Sequence, residues 1–285
     1  MSDLTRVEPT GSSQDTAPTR WGPFLAAVGA MLLAALLGLA ATTYVALRTS
    51  RGLRLDAEAM NAVGSPRLAL YRLHEGLTWV SVGSVALSLL ACVALALVRR
   101  RFDLALGAVI AIGGSNVTTQ ILKYHVITRP DLSQGPNSLP SGHTTVALSI
   151  ALAAVIVAPS AWRSIVAIGV SATATLVGVA TVLGRWHRPS DVVAATFVCL
   201  LWAALGLLIA ALVGQHVSGK ATRVSVHLGA LIGASAVGGL LVMWGVRPQE
   251  GMRDLGLGLI SLGAIGLACA VSVAAVARVA DRHLA

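Results

Sequence analysis

The stretch LPSGHTTVALSIALAAVIVA, from Leu139 to Ala158, joins a polar start containing a histidine to a long apolar run. From Thr144 to Val157 the run contains no Lys, Arg, Asp or Glu, which is typical of a helix inside a bilayer. Directly before it stand a proline, a serine suited to cap a helix, a glycine and His143. The stretch therefore predicts a membrane helix whose first turn carries polar groups that the membrane itself does not require.

Seven further apolar segments give the rest of the chain the same character. Hydrophobic residues make up 55% of the 285 residues and charged residues only 12%, a balance outside that of ordinary soluble domains. The length of the segments and their content of Ala, Leu and Gly favour helices over the alternating strands of a membrane barrel. We therefore predict an all-α, polytopic transmembrane helical bundle. With Thr144–Val157, the predicted spans are Trp21–Leu47, Leu77–Val98, Leu104–Leu122, Ile165–Leu183, Val192–Leu212, Val224–Val246 and Leu255–Ala277.

Charge and cysteine content limit the possible partners. The net charge is +9, but the basic residues are scattered over the ends of many spans, which favours membrane lipids over nucleic acid as the partner. The three cysteines, Cys92, Cys199 and Cys269, fall inside predicted spans without paired spacing, which argues against a disulfide framework or a zinc site.

The polar segments predict how the chain is threaded. Residues 1–19 are polar and should form a disordered tail. If that tail is cytoplasmic, alternation of the spans places the basic turn Arg99–Arg101 in the cytoplasm too, which fits the positive-inside bias. The count is close, because the other side would hold five arginines of the first outer connection, Arg48, Arg51, Arg54, Arg67 and Arg72. Three connections then share the outer side: Arg48–Glu75, Lys123–Gly142 and Arg185–Asp191. The first of them could form short helices on the membrane surface or a solvated connector, and the sequence leaves this open.

The second and third outer connections contain the residues of a phosphoryl-transfer site. The stretches KYHVITRP, PSGH and GRWHRPSD supply two basic clusters, two histidines and a carboxylate. Cleavage of a phosphate ester needs a nucleophile, a proton donor and cations around the phosphate oxygens. The helix start after PSGH is a ready anion site beside His143. His187 and Asp191 are one helical turn apart, so the carboxylate can orient the imidazole.

These motifs resemble the pattern of the type 2 phosphatidic acid phosphatase (PAP2) superfamily, which reads Lys-x6-Arg-Pro, Pro-Ser-Gly-His and Ser-Arg-x5-His-x3-Asp. Pro140 to His143 match fully, as do His187 and Asp191. The resemblance covers about residues 77–212. It implies a six-helix core at residues 20–213, so that residues 214–285 would add two spans and a C-terminal tail.

The resemblance also implies a role for each matching residue. His143 would form a phosphohistidine, His187 would protonate the leaving group and later activate water, and Asp191 would hold His187. It implies neither a metal nor another cofactor. The phosphate-binding residues that it implies are Lys123, Arg129, Ser141, Gly142 and Arg185.

The sequence departs from the family pattern at two positions. Lys123 and Arg129 are separated by five residues instead of six, so the helix must end before Arg129 if both are to contact one phosphate. The arginine of the third motif falls on Thr181. Arg185 or Arg188 can take its place from a different backbone position, and we favour Arg185.

By family precedent, the expected protein is a lipid phosphatase on the outer face of a bacterial inner (plasma) membrane. Its candidate substrates are a polyprenyl diphosphate, ranked first, phosphatidylglycerophosphate and phosphatidate. Two alternatives remain, because of the missing arginine and the two additional spans: a transporter or flippase for lipid phosphates, and a non-catalytic subunit of an envelope-synthesis complex. Gly229 and Gly233 form a G-x-x-x-G pattern that favours packing within the chain over a homodimer.

Overall fold

The computed structural model describes residues 21–64, 75, 78, 82–129, 137–215, 217, 247, 248 and 251–284. These residues form an all-α bundle, as predicted, with one two-stranded pairing of two residues each. Strand β1 (Val63–Gly64) pairs antiparallel with β2 (Arg247–Pro248). The helices are α1 (Trp21–Arg48), α2 (Ser50–Ala62), α3 (Val82–Val98), α4 (Phe102–Ile121), α5 (Gly142–Val157), α6 (Arg163–Leu183), α7 (Pro189–Gly214) and α8 (Gly251–His283).

Five of these helices are long and apolar enough to cross a membrane, and the protein is therefore a multi-pass membrane protein. They are α1, α4 with the turn that follows it, α6, α7 and α8, while α3 and α5 are shorter apolar helices. Seven of the eight predicted spans thus correspond to described helices. The predicted span Val224–Val246, with Gly229 and Gly233, and the predicted tail at residues 1–19 lie outside the described residues.

Helices α4 and α7 approach each other closely at a pair of glycines. A Cβ atom added to Gly206 would lie 2.5 Å from the carbonyl oxygen of Gly107, closer than real Cβ atoms come. Small residues at such a crossing allow two membrane helices to pack backbone to backbone. Because α4 leads into the first motif and α7 begins within the third, this contact helps to fix the two motifs relative to each other.

The end of the bundle opposite the motifs is held together by arginines. Arg163, at the start of α6, forms a buried ion pair with Asp281 of α8, with Nη1 and Oδ1 2.9 Å apart. Arg101, before α4, donates from Nη2 to the carbonyl oxygen of Leu284 at 3.0 Å. The basic turn and the end of α8 therefore share one end of the bundle, in agreement with the alternation predicted from the sequence.

Helix α2 lies at the other end, within the first of the three outer connections. Thr49 caps it, since its Oγ1 accepts from the backbone N–H of Gly52 at 3.0 Å. One side of α2 is buried against α1, α7 and α8, and β1 ties its end to the segment before α8. Residues 50–62 of a connection that the sequence left open between helix and solvated loop are therefore helical and packed on the bundle.

Candidate active site

The first motif begins where α4 loses its regular geometry. Leu122–Val126 form one turn of π-helix that contains Lys123, and Ile127 is extended at φ −98° and ψ 120°. The helix therefore ends before Arg129, as the five-residue spacing required. The side-chain amide of Asn137 donates to the carbonyl oxygens of Lys123 and Ile127 at 3.1 and 3.0 Å, and this holds the end of the turn in place.

The second motif forms the start of α5. The Ser141 Oγ accepts from the backbone N–H of Thr144 at 3.4 Å and from its hydroxyl at 3.0 Å, so Ser141 caps the helix as predicted. The backbone N–H of Ser141 donates to the carbonyl oxygen of Asp191 at 2.9 Å, which joins the second motif to the third. A Cβ atom on Gly142 would meet no atom of the described residues within 4 Å, so among these residues open space adjoins the helix start.

The third motif is a turn that folds back onto the end of α6. The backbone N–H groups of Trp186 and His187 both donate to the carbonyl oxygen of Thr181, at 3.0 and 3.2 Å. Arg185 has a φ of 57°, in the left-handed region, which lets the chain reverse there. Pro189 then opens α7 at its first turn, a position that proline favours.

The two motif histidines meet at one end of the bundle. The ring centroids of His143 and His187 are 6.2 Å apart, with an angle of 67° between the ring planes. His187 is buried, whereas His143 is half-buried and its ring lies 5.4 Å from that of Trp186. At this separation one phosphate group can contact both imidazoles.

The Asp191 carboxylate is shared by three side chains. Its Oδ1 accepts from Arg129 Nη2 at 2.7 Å, and its Oδ2 accepts from the Ser138 hydroxyl at 2.6 Å. His187 Nδ1 lies 3.4 Å from the same Oδ2. Because Nδ1 faces the carboxylate, Nε2 is the nitrogen of His187 that remains for a substrate. The spacing of His187 and Asp191 predicted their pairing, but not the contribution of Ser138.

Arg129 is a buried cation with unused donors. Only 3% of its side chain is exposed, and among the residues that the structure describes neither Nε nor Nη1 has a hydrogen-bond acceptor. Buried donors almost always find a partner, so the Nε and Nη1 groups of Arg129 are suited to donate to the oxygens of an anion. Lys123 and His187 lie close enough to His143 to interact with it electrostatically. The structure thus brings two predicted phosphate-binding cations to the two histidines.

Thr181 stands where the third motif has its arginine, but it does not replace that arginine. Its hydroxyl is buried and donates to the carbonyl oxygen of Gly178. Arg185 is exposed, and its Nη1 donates to Asn61 Oδ1 of α2 at 3.0 Å. Arg188 is half-buried, and its charge interacts with those of Arg129, Asp56 and Asp191. Arg185 therefore extends to α2, whereas Arg188 lies in the cluster around the Asp191 carboxylate.

Helix α2 contributes side chains to this region that the sequence analysis did not single out. Asp56 is buried and accepts two hydrogen bonds from Ser190, and its Oδ2 lies 3.9 Å from Arg129 Nη1. The sequence did contain a signal for Asp56, because this acidic residue lies on the same side of an amphipathic helix as Ala59 and Ala62. Within the described ranges, no group of three His, Cys, Asp or Glu side chains is arranged to hold a metal ion.

Two histidines, a carboxylate and clustered cations lie together at one end of the bundle, an arrangement suited to a phosphate group. Residues 104–215 match the family model of the PAP2 superfamily, the superfamily whose pattern the three motifs resemble. All three motifs lie within the match, whereas α2 and α8 lie outside it. No curated protein and no solved structure matches the chain significantly.

Proposed function

We propose that the protein is an integral membrane lipid phosphatase that hydrolyses a phosphomonoester or diphosphate of a lipid. PAP2 superfamily members are typically phosphatases, which gives the broad class. The observation that carries the proposal is the meeting of His143, the His187–Asp191 pair and the unused donors of Arg129 at one end of a membrane bundle.

The first half of the reaction transfers the phosphoryl group to the protein. A ring nitrogen of His143 attacks phosphorus and forms a P–N bond while the P–O bond to the lipid breaks. His187, protonated and held by Asp191, gives its proton to the departing oxygen. The lipid then leaves with a hydroxyl group or, from a diphosphate, as the monophosphate.

The second half releases phosphate. His187, now neutral, takes a proton from a water molecule as the water oxygen attacks phosphorus. The P–N bond breaks, so that His143 is restored and inorganic phosphate is formed. The same two side chains thus act in both halves, with His187 alternating between acid and base.

The phosphoryl oxygens need donors throughout, because charge spreads over them in the transition state. Arg129 offers Nε and Nη1, and Lys123 adds a second cation. The start of α5 at Gly142 adds a helix N-terminus beside open space. The backbone N–H of Ser141 is already bonded to Asp191, so the hydroxyl is the group that Ser141 can offer. For the missing arginine we propose Arg188, because its charge reaches Arg129 and Asp191, and we keep Arg185 as the alternative.

The substrate class follows from the location of the site. A phosphate at the end of a membrane bundle is reached most directly by an amphiphile whose apolar tail stays among the helices. We propose a polyprenyl diphosphate, phosphatidylglycerophosphate or phosphatidate, cleaved at the outer face of a bacterial plasma membrane. A homodimer remains the less favoured alternative to packing within the chain, and the proposed chemistry does not require one.

A phosphate-release assay with the three lipid classes in detergent micelles tests the proposal. We expect release from at least one lipid, unchanged by EDTA and abolished in His143→Ala. With a lipid carrying radioactive phosphate, the wild type should yield an acid-labile phosphoenzyme that His143→Ala lacks. Full turnover by His143→Ala would refute the nucleophile. Lipid binding or translocation without phosphate release would favour the flippase instead.

A further inference from the structure

Helix α2 brings a carboxylate to the active site from outside the segment that matches the family. Asp56 is 9% exposed, although its helix belongs to an outer connection of the bundle. The buried side of α2 also carries Ala59 and Ala62. An acidic residue on such a side costs free energy unless partners compensate for it.

One partner of Asp56 is the first turn of α7. The backbone N–H of Ser190 donates to Asp56 Oδ1 at 3.0 Å, and the Ser190 hydroxyl donates to Oδ2 at 2.6 Å. The backbone N–H groups in the first turn of a helix have no acceptor within the helix, and an anion placed there is stabilised by the helix dipole. Since Asp191 directly follows Ser190, Asp56 fixes the turn from which the Asp191 carboxylate projects.

The other partner of Asp56 is the phosphate-binding arginine. The guanidinium of Arg129 lies between two carboxylates, with Nη2 2.7 Å from Asp191 Oδ1 and Nη1 3.9 Å from Asp56 Oδ2. At 3.9 Å the Asp56 carboxylate attracts the guanidinium but accepts no hydrogen bond from Nη1. Nη1 and Nε therefore keep their donors unused. A closer Asp56 would occupy Nη1, and without Asp56 only Asp191 would hold the guanidinium.

Ionisation of Asp56 is opposed by its burial. Burial raises the pKa of the Asp56 carboxyl, and the neighbouring Asp191 charge adds to this, while the Ser190 hydrogen bonds and the Arg129 charge only partly oppose it. Ionised Asp56 is therefore a cost to the folded protein at neutral pH. A neutral side chain of the same shape would be cheaper, so the carboxylate needs another explanation.

We propose that Asp56 is a positioning residue of the active site, which holds Arg129 and the first turn of α7 in the geometry that binds the phosphoryl group. The proposal rests on the proposed function, and it assigns a role to a helix that the family match does not include. Asp56 acts through Arg129 and Ser190 and does not itself contact the substrate.

The test compares Asp56→Asn with Glu58→Gln, which removes the same charge from the same helix two residues further on. We expect Asp56→Asn to lower kcat/KM by about 10- to 100-fold, because a misplaced binding group costs that much. The inhibition constant of vanadate should rise by a similar factor, because vanadate resembles the transferring phosphoryl group and uses the same arginine. Glu58→Gln should change neither value.

Vanadate separates positioning from a merely structural role. Misfolding lowers the amount of active protein and hence the apparent kcat, but the molecules that remain bind vanadate normally. A normal vanadate inhibition constant in Asp56→Asn would therefore overturn the proposal, whatever its yield or Tm. A raised vanadate inhibition constant together with an undiminished Tm would support the proposal.

Binding of inorganic phosphate tests Asp56 independently of turnover. A ligand that binds the folded state raises Tm, so phosphate should raise the Tm of the wild type and of Glu58→Gln more than that of Asp56→Asn. If the wild type cleaves no lipid but shows this pattern, the phosphatase function is wrong and the positioning role stands. Equal shifts in all three proteins would refute the positioning role, and no shift in the wild type would refute both.

Discussion

Arg129 and Asp191 form a buried ion pair, with Nη2 of the arginine 2.7 Å from Oδ1 of the carboxylate. The other oxygen of the same carboxylate lies 3.4 Å from His187 Nδ1. One side chain thus links the arginine proposed to bind the phosphate to the histidine proposed to transfer the proton. A shift of Asp191 must therefore change substrate binding and proton transfer together.

Removal of the Asp191 carboxylate should lower both stability and activity. Asp191→Ala leaves the Arg129 charge buried without its closest partner, and breaking such a pair costs about 3–5 kcal/mol. The change also frees the imidazole of His187, so kcat should fall by several orders of magnitude, as it does when an orienting carboxylate is lost from a catalytic triad. Denaturant unfolding in micelles and the phosphate-release assay measure the two effects.

A double variant shows whether the two losses have separate causes. Arg129→Met combined with Asp191→Leu removes both charges of the pair, so part of the lost stability should return, although the buried Asp56 then lacks its nearby cation. Activity should stay absent, since the phosphate-binding arginine and the orienting carboxylate are both gone. Measurable turnover in the double variant would contradict the roles given to these residues.

The sequence predicted the membrane helices and the pairing of His187 with Asp191, because both depend on local patterns. An apolar run with polar ends predicts Ile165–Leu183 almost as it stands in α6, and the spacing of His187 and Asp191 is that of one helical turn. Ser138 could not be found in this way. Its contact with Asp191 joins residues 53 positions apart, and nothing near Ser138 in the chain indicates it.

Helix α2 marks the limit of prediction from a pattern. Its alternation of Arg, Leu and Ala is compatible with a helix on the membrane surface, and residues 50–62 are helical. The pattern does not say what the buried side faces. Only the packing against α7 turns Asp56 from one acidic residue of a polar connection into a partner of Ser190 and Arg129.

Gly142 should be required for the substrate and not for the fold. A Cβ atom there meets no atom within 4 Å in the described part of the chain, and alanine is the better helix former, so Gly142→Ala should keep or raise Tm. The added methyl group occupies space beside the helix start, where the phosphate is proposed to lie. We expect kcat/KM to fall about 100-fold in the phosphate-release assay, the loss associated with a misplacement of about 1 Å.

Gly169 in α6 offers the matched control for this change. It too has open space around a hypothetical Cβ atom, but it lies in the middle of a membrane helix away from the motifs. Gly169→Ala should leave activity at the wild-type level. If Gly142→Ala is as active as Gly169→Ala, the phosphate does not approach the backbone at Gly142.

Arg188 and Arg185 should differ in their effect on turnover. Loss of a preorganised donor to a developing anion costs about 100- to 1,000-fold in kcat, and we expect Arg188→Gln to fall in this range. Arg185→Gln removes a hydrogen bond to Asn61 at the exposed edge of α2 and should cost clearly less. Paired kcat and KM measurements decide between them. A larger loss in Arg185→Gln would return the missing role to Arg185.

The stability of the protein should depend on pH through Asp56. Burial, as the main cause, raises the pKa of its carboxyl above the ordinary 3.8, so the unfolded chain loses this proton before the folded protein does. The charged groups that face Asp56 are Arg129, Asp191 and Arg188.

Below pH 3.8 the Asp56 carboxyl is protonated in both the folded and the unfolded state and carries no penalty. As pH rises from there through the raised pKa of the folded protein, ionisation makes Asp56 progressively more costly to the fold. Tm measured from pH 4 to 8 should therefore show Asp56→Asn gaining on the wild type as pH increases. A wild type that gains on Asp56→Asn with rising pH would mean that ionised Asp56 stabilises the fold, and its carboxylate would then need no role in catalysis.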